Sequence, residues 1–282
     1  MEVNRETAAL VALLRAARRP WSEYADRVEQ IGSAWPLLLD EHGLLAEDAA
    51  DRAAAELAEW SRRHIRVLTV LDGEFPSSLR ASAQKPPIMF VAGETAWDAH
   101  AVAVVGTRQP TAEGRRLARS IVRRLVSDGV TVFSGLAAGI DTEAHEAALS
   151  DGGRTVAVVG NGLNHCYPRE NASLQRRIAS SGAVISQFWP EERPTRRSFP
   201  MRNGVMAGLT SATLIVEASA LSGTRIQARL ALAQGRSVLL LESLLKQSWA
   251  RDLAERPGVR VVSSASEVSA ELGNGRAAQI AA

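Results

Sequence analysis

The feature that most restricts this chain is a rhythm that begins near residue 101. Short apolar runs without polar alternation recur at 101–105, 130–133, 155–159, 183–186, 212–216, 237–241 and 259–262. Helix-length segments separate most of them, at 114–128, 142–149, 171–180, from 202 to 209, and at 224–234. A strand with one face in water alternates apolar and polar residues, whereas one that is apolar throughout is covered on both faces. Strands joined through helices pair in parallel. The rhythm therefore predicts an α/β fold, a Rossmann-like, doubly wound and mainly parallel sheet.

What precedes the rhythm has a different character. Residues 1–62 read as wholly helical, with Leu10, Leu13 and Leu14 on one stripe and an alanine- and acid-rich segment at 46–60. Residues 65–71 then form a strand closed by the Asp72-Gly73 turn, and Pro86-Pro87 leads into a second at 88–91. The division expected is a small helical N-terminal domain at 1–62, the Rossmann-like domain at 63–272, and a disordered tail at 273–282. The single cysteine, Cys166, excludes an internal disulfide and suits a reducing compartment. No apolar run approaches the roughly 18–20 residues that span a bilayer. The amphipathic start carries charges throughout, unlike a secretory signal. A cytoplasmic protein with no membrane partner is expected.

Charge alone assigns no ligand. With 33 basic and 31 acidic residues the net charge is +2, so any polyanion must be recognised by where the arginines stand. In a doubly wound sheet, ligands bind beyond the carboxyl ends of the strands, and here five such junctions carry polar or small residues. The first holds Gly106, Thr107, Arg108 and Thr111 just before a helix, where backbone amides and the helix dipole favour an anion. The second holds Ser134, Gly135, Gly139 and Asp141, with Asp141 read as an N-cap and His145, four residues on, as its hydrogen-bonding partner. The third spans residues 159–168. The fourth continues into a basic loop containing Arg193, Arg196, Arg197, Phe199, Arg202 and Asn203. Arginines interleaved with an aromatic suit a single strand, charges following the backbone while the ring stacks on a base. The fifth holds Glu217, Ser222, Gly223 and Thr224. Arg115, Arg119 and Arg123, on one helix face, read as a solvated stripe. No metal site is expected.

Taken together, these motifs resemble the DNA-processing protein A family (DprA, or Smf). They are VGTRxxTxxG ending at Gly114, SGLAxGID with AH and AL at 134–149, GNGLNxxYPxxN at 160–171, FPxRN with AGL at 199–209, and VEA with SGT at 216–224. The segments LTVLDGEFPSSLR and KPPIMFVAG before them are similar to the family's lead-in. The resemblance implies a non-catalytic protein that binds and protects single-stranded DNA, forms homodimers, and helps load a RecA-type recombinase in natural transformation. It implies no cofactor and no catalytic residue. Arg108, Arg196, Phe199, Arg202 and Asn203 would contact DNA, while Gly106, Gly135, Gly139, Ser222, Gly223 and Thr224 would shape the groove.

The chain departs from the family pattern at Ala138, Gln187 and Gly204, two of which usually carry positive charge. Residues 238–242 replace its usual Pro-Gly segment, and the winged helix that many members append is expected to be lacking. These departures point to a diverged member, serving transformation, repair or phage defence. The alternative reading is a nucleotide sensor or nucleotide-processing enzyme of a related Rossmann-like family, with Glu217 as acid or base. A nicotinamide dehydrogenase is disfavoured because GxGxxG is missing.

Overall fold

The computed structural model describes residues 4–82, 85–97, 100–219 and 222–280, with side chains through 273. Four helices open the chain: α1 (Arg5–Arg15), α2 (Trp21–Ile31), α3 (Trp35–His42) and α4 (Ala46–Arg62). Then come β1 (Ile65–Thr69), the single turn α5 (Ser77–Arg80) and β2 (Ile88–Gly93). The alternating part begins with β3 (Ala101–Val105), α6 (Ala112–Ser127), β4 (Thr131–Ser134), α7 (Ile140–Ser150) and β5 (Thr155–Val158). It continues with α8 (Ala172–Ser181), β6 (Ala183–Ser186), α9 (Ser198–Leu209), β7 (Ala212–Ile215), α10 (Thr224–Ala233) and β8 (Ser237–Leu241). α11 (Ser248–Ala254), β9 (Val259–Val262) and α12 (Ala265–Ile280) complete it.

Among the described residues the strands form one sheet, ordered β1-β2-β6-β5-β4-β3-β7-β8-β9. Neighbours from β6 to β9 pair in parallel. β2 pairs antiparallel with both β1 and β6, extending one edge. The mainly parallel, doubly wound sheet is thus the fold found. Its apolar runs have the expected cause: in β3, Ala101, Ala103 and Val105 belong to one buried core, while Val102 and Val104 face another with Ala118, Ile121 and Leu125 of α6. From β3 the chain proceeds outward to β6, then returns to lay β7 on the other side of β3. That reversal opens a crevice at the carboxyl ends of β3 and β7.

The N-terminal helices share the larger core. Leu10 and Leu13 of α1 and Trp60 of α4 bury in it with Phe90 of β2. Trp60 meets Phe90 edge-on at 5.2 Å and 88°, and the Arg15 guanidinium lies 3.9 Å from the centre of the Trp189 ring.

Two boundaries differ from the sequence expectation. α9 starts at Ser198, so Phe199 sits on a helix rather than in the basic loop. Pro200 argued for a later start, yet it occupies the first turn, where a missing N–H leaves no helical bond unmade. Ser198 anchors that start, its amide donating to Thr195 Oγ1 at 3.1 Å and its hydroxyl to Thr195 O at 2.9 Å. At the other end α12 is helical to Ile280, where a disordered tail from 273 is expected; Ala281 and Ala282 of that expected tail lie outside the described residues.

Candidate nucleic-acid interface

The crevice between β3 and β7 opens into a cleft of about 410 Å³. Gly106, Thr107 and Arg108 form one wall, and Ser222, Gly223 and Thr224 face them. Phe199, Arg202 and Asn203 of α9 supply a third side. With Ala137 and Asp141 at its floor, the structure therefore brings together residues of four of the five sequence junctions. Ser134, Gly135, Gly139 and Arg196 do not line the cleft.

The rim carries the unpaired chemistry. Arg108 is exposed, and its guanidinium carbon stands 5.6 Å from the centre of the Phe199 ring. Tyr167, 45% exposed, continues the series, its ring 5.8 Å from that of Phe199 and tilted by 47°. Arg193, Arg196 and Arg197 are exposed in the loop just before α9. Among the described residues none of these arginines pairs with a carboxylate. Cation and ring together present both features that a nucleotide chain engages.

Beneath the rim the chemistry is closed. Arg202, expected from sequence to contact DNA, is buried, and its Nη1 donates to Val158 O at 2.7 Å. The guanidinium occupies the space beside Gly135, where a Cβ would lie 1.8 Å from Nη1. Asp141 shares the floor, its Oδ2 accepting from Gly135 N at 3.1 Å and Ala137 N at 3.4 Å. Burial pushes the Asp141 carboxyl above the usual carboxylate range, opposed by the Arg202 charge and those two amides. Arg202 and Asp141 thus fix loops from inside, and Gly139 rather than Asp141 holds the N-cap position of α7.

His145 is not bonded to Asp141. Its Nδ1 lies 2.7 Å from the Thr155 hydroxyl, which itself donates to Val132 O, so Nδ1 is the protonated nitrogen. Burial, aided by Arg202, lowers its pKa to about 3, and the ring is neutral at physiological pH.

The remaining residues support from behind. Ser134 is buried and donates to Val104 O at 2.6 Å. Gly139, at φ +83°, lies against the Thr107–Arg108 turn; a Cβ there would come within 2.3 Å of Thr107 O. Only a residue without one can hold that turn at this height.

The first junction differs from expectation in one respect. Thr111 caps α6 by accepting from Gly114 N at 3.0 Å. The helix start expected to receive a ligand anion already holds Glu217, whose Oε2 accepts from Thr111 N at 3.1 Å and Thr111 Oγ1 at 3.0 Å. The Thr107 amide donates to Glu217 O at 2.6 Å. Glu217 is absent from the cleft lining and ties the fifth junction to the first through Thr107 and Thr111.

The arginine stripe of α6 is neutralised. Arg115 and Arg119 grip the buried Glu143 at 2.8 and 2.6 Å, and Arg116 and Arg124 pair with Glu113 and Asp128. The hydrogen bonds and charges of Arg119 and Arg115 outweigh the opposing effect of burial and hold the Glu143 carboxyl below its ordinary range.

Sequence reasoning carried Tyr167 only inside a motif, without a role, and passed over Gln227 and Met206. Gln227 lines the cleft one turn beyond Thr224 and donates to Thr213 Oγ1 at 3.3 Å. That one-turn spacing was its only signal. Among the described residues no cluster of His, Cys, Asp or Glu could hold a metal, and no helix is long and apolar enough to cross a membrane.

Fold and cleft define a Rossmann-like protein with an open polar cleft at the strand reversal, edged by unpaired arginine and stacked rings. The family model described as DNA recombination-mediator protein A matches residues 66–272, and the chain belongs to that family. It is 36% identical over 224 residues to protein Smf of Synechocystis sp., covering 77% of this chain and 56% of that one. It is 41% identical over 185 residues to protein Smf of Escherichia coli, covering 64% and 50%. With the DNA processing protein DprA of Bacillus subtilis, identity is 31% and coverage 77% and 74%. The chain thus spans about half to three quarters of the length of these relatives. The X-ray structure of DprA from Streptococcus pneumoniae superposes with a TM-score of 0.73 at 28% identity, covering 96% of this chain and 99% of that one. DNA processing protein A from Helicobacter pylori, whose structure concerns its single-stranded DNA binding mode, gives 0.67 at 25% identity, covering 74% and 96%.

Proposed function

We propose that this chain binds single-stranded DNA across the cleft between β3 and β7, protects it, and helps to load a RecA-type recombinase. The observation that carries the reading is the ladder of Arg108, Phe199 and Tyr167 at the cleft rim, with no carboxylate of the described residues paired to it. Phosphates meet Arg108 and the exposed arginines of the 193–197 loop, and bases stack on the two rings. The small side chains of Ser222 and Gly223 let the backbone of the strand approach the opposite wall. Family membership and the single-stranded DNA binding of the Helicobacter pylori relative support the same ligand. The protein acts in the cytoplasm as a homodimer and as a mediator without a reaction of its own. Glu217, the one acid the nucleotide-processing alternative needs, is engaged elsewhere.

Thermal shift with oligo-dT and with mononucleotides separates the two readings, because a ligand raises the melting temperature only of the state that binds it. Oligo-dT should stabilise the fold and mononucleotides should not; the reverse pattern overturns the proposal. In the same assay Phe199→Ala should weaken oligo-dT binding by about 1–3 kcal/mol, the value of one base stacked on an aromatic ring.

A further inference from the structure

Ser222 lines two cavities. One is the cleft already described; the other is a groove of about 620 Å³ between α10 and α11. Its floor is apolar, made of Ile226, Leu253 and the indole of Trp249, which is 7% exposed. Arginines stand around that floor. Arg225 and Arg229 are four residues apart on α10, placing them on one face about 5–6 Å apart at Cβ, and Arg256 follows α11. All three are exposed, and the Arg225 guanidinium stands 5.8 Å from the centre of the Trp249 ring. Arg229 and Arg256 carry no ion pair among the described residues, although Asp252 also lines the groove. Arg229 and Arg256 against the one carboxylate of Asp252 leave it positive.

We propose that this groove is a second binding segment for the same polyanion, which leaves the cleft over Ser222 and continues along α10 onto Arg229 and Arg256. The inference rests on the single-strand reading of the cleft. Continuity through a shared residue favours it: a chain lying in the cleft has only the Ser222 turn to cross before its next phosphates reach the groove. The chemistry repeats in a different form. In the cleft, cation and exposed ring form the rim; in the groove, cations form a rim above an apolar floor. That combination accepts sugar and base edges without reading sequence. The α6 stripe offers no comparable surface, because each of its arginines faces a carboxylate within 4 Å.

The test compares two oligonucleotide lengths. Oligo-dT of about 6 nucleotides fits the cleft alone, whereas about 20 nucleotides extends beyond it. With the full chain, Arg229→Gln/Arg256→Gln should leave the short oligomer's affinity unchanged and weaken the long one by about tenfold. The slope of log affinity against log salt for the long oligomer should become shallower by about 1.4, two single-strand phosphate contacts. Equal affinity of variant and wild type for the long oligomer overturns the groove while leaving the cleft reading intact. So does a variant that changes the sedimentation of the free protein and not its length dependence, which makes the groove a contact between copies of the chain. If wild type binds neither oligomer, both readings fall. Both side chains are exposed and, among the described residues, carry no ion pair, so the variants should melt as wild type does.

Discussion

The outer face of α6 and the rim of the cleft are both rich in arginine, and they do opposite things. On α6, Arg115 and Arg119 close on one buried carboxylate, and Arg116, Arg123 and Arg124 each have an acidic neighbour. At the rim, Arg108 faces an aromatic ring and, among the described residues, pairs with no carboxylate. A guanidinium already held by a carboxylate has its field cancelled locally and its donors directed inward, so an approaching phosphate gains little from it. The number of arginines in a segment is therefore a poor guide to polyanion binding. What counts is whether the fold supplies each one with an acid.

Arg202 is a third case, and its substitution should give the largest effect. Arg202→Ala empties the space beside Gly135 and leaves Val158 O without its partner, and destabilisation of about 2–5 kcal/mol is expected in urea unfolding. A variant that loses DNA while melting like wild type would return Arg202 to the rim and collapse the distinction. Next in size, Arg108→Glu should lower oligo-dT affinity at least about tenfold at moderate salt, with no change in melting temperature. Unchanged affinity would mean that a free arginine is no better placed than a paired one.

Smaller effects sharpen the other half of the comparison. Arg115→Gln/Arg119→Gln should leave DNA binding untouched and cost about 1–2 kcal/mol, because a buried carboxylate loses its partners. Its pH dependence has a definite sign. The Glu143 pKa is lowered in the fold from an ordinary 4.5, so its stabilisation is full above that value and is lost as pH falls through the lower folded one. The double variant should flatten this acid limb in melts recorded below neutral pH. A steeper limb would contradict the assignment. Arg116→Gln, on a fully exposed pair, should change neither affinity nor melting temperature.

How much of this could be read in the chain depends on the range of the interaction. The sheet was readable because its cause is local: Val102 and Val104 face one core and Ala101 and Ala103 the other, so the run is apolar at every position. Arg108 and Phe199 could be named as site residues because each stands in a short, recognisable motif. Their mutual stacking could not, nor could the place of Tyr167 beside them. The burial of Arg202 was not readable, because FPxRN places it one turn after Phe199 and says nothing of the gap beside Gly135 that its guanidinium fills. The helix boundary at Ser198 was hidden by Pro200, whose effect depends on whether it falls in a first turn or a later one.

The tie between Glu217 and Thr111 has one more implication. The two residues are 106 positions apart, yet the later one sits where sheets of this architecture commonly seat a diphosphate. Small phosphorylated metabolites, abundant in every cell, would meet a resident negative charge at that seat. An acid already held there would repel such compounds, and on the proposed reading the open edge is left to a longer partner that spreads its charge over many weaker holds.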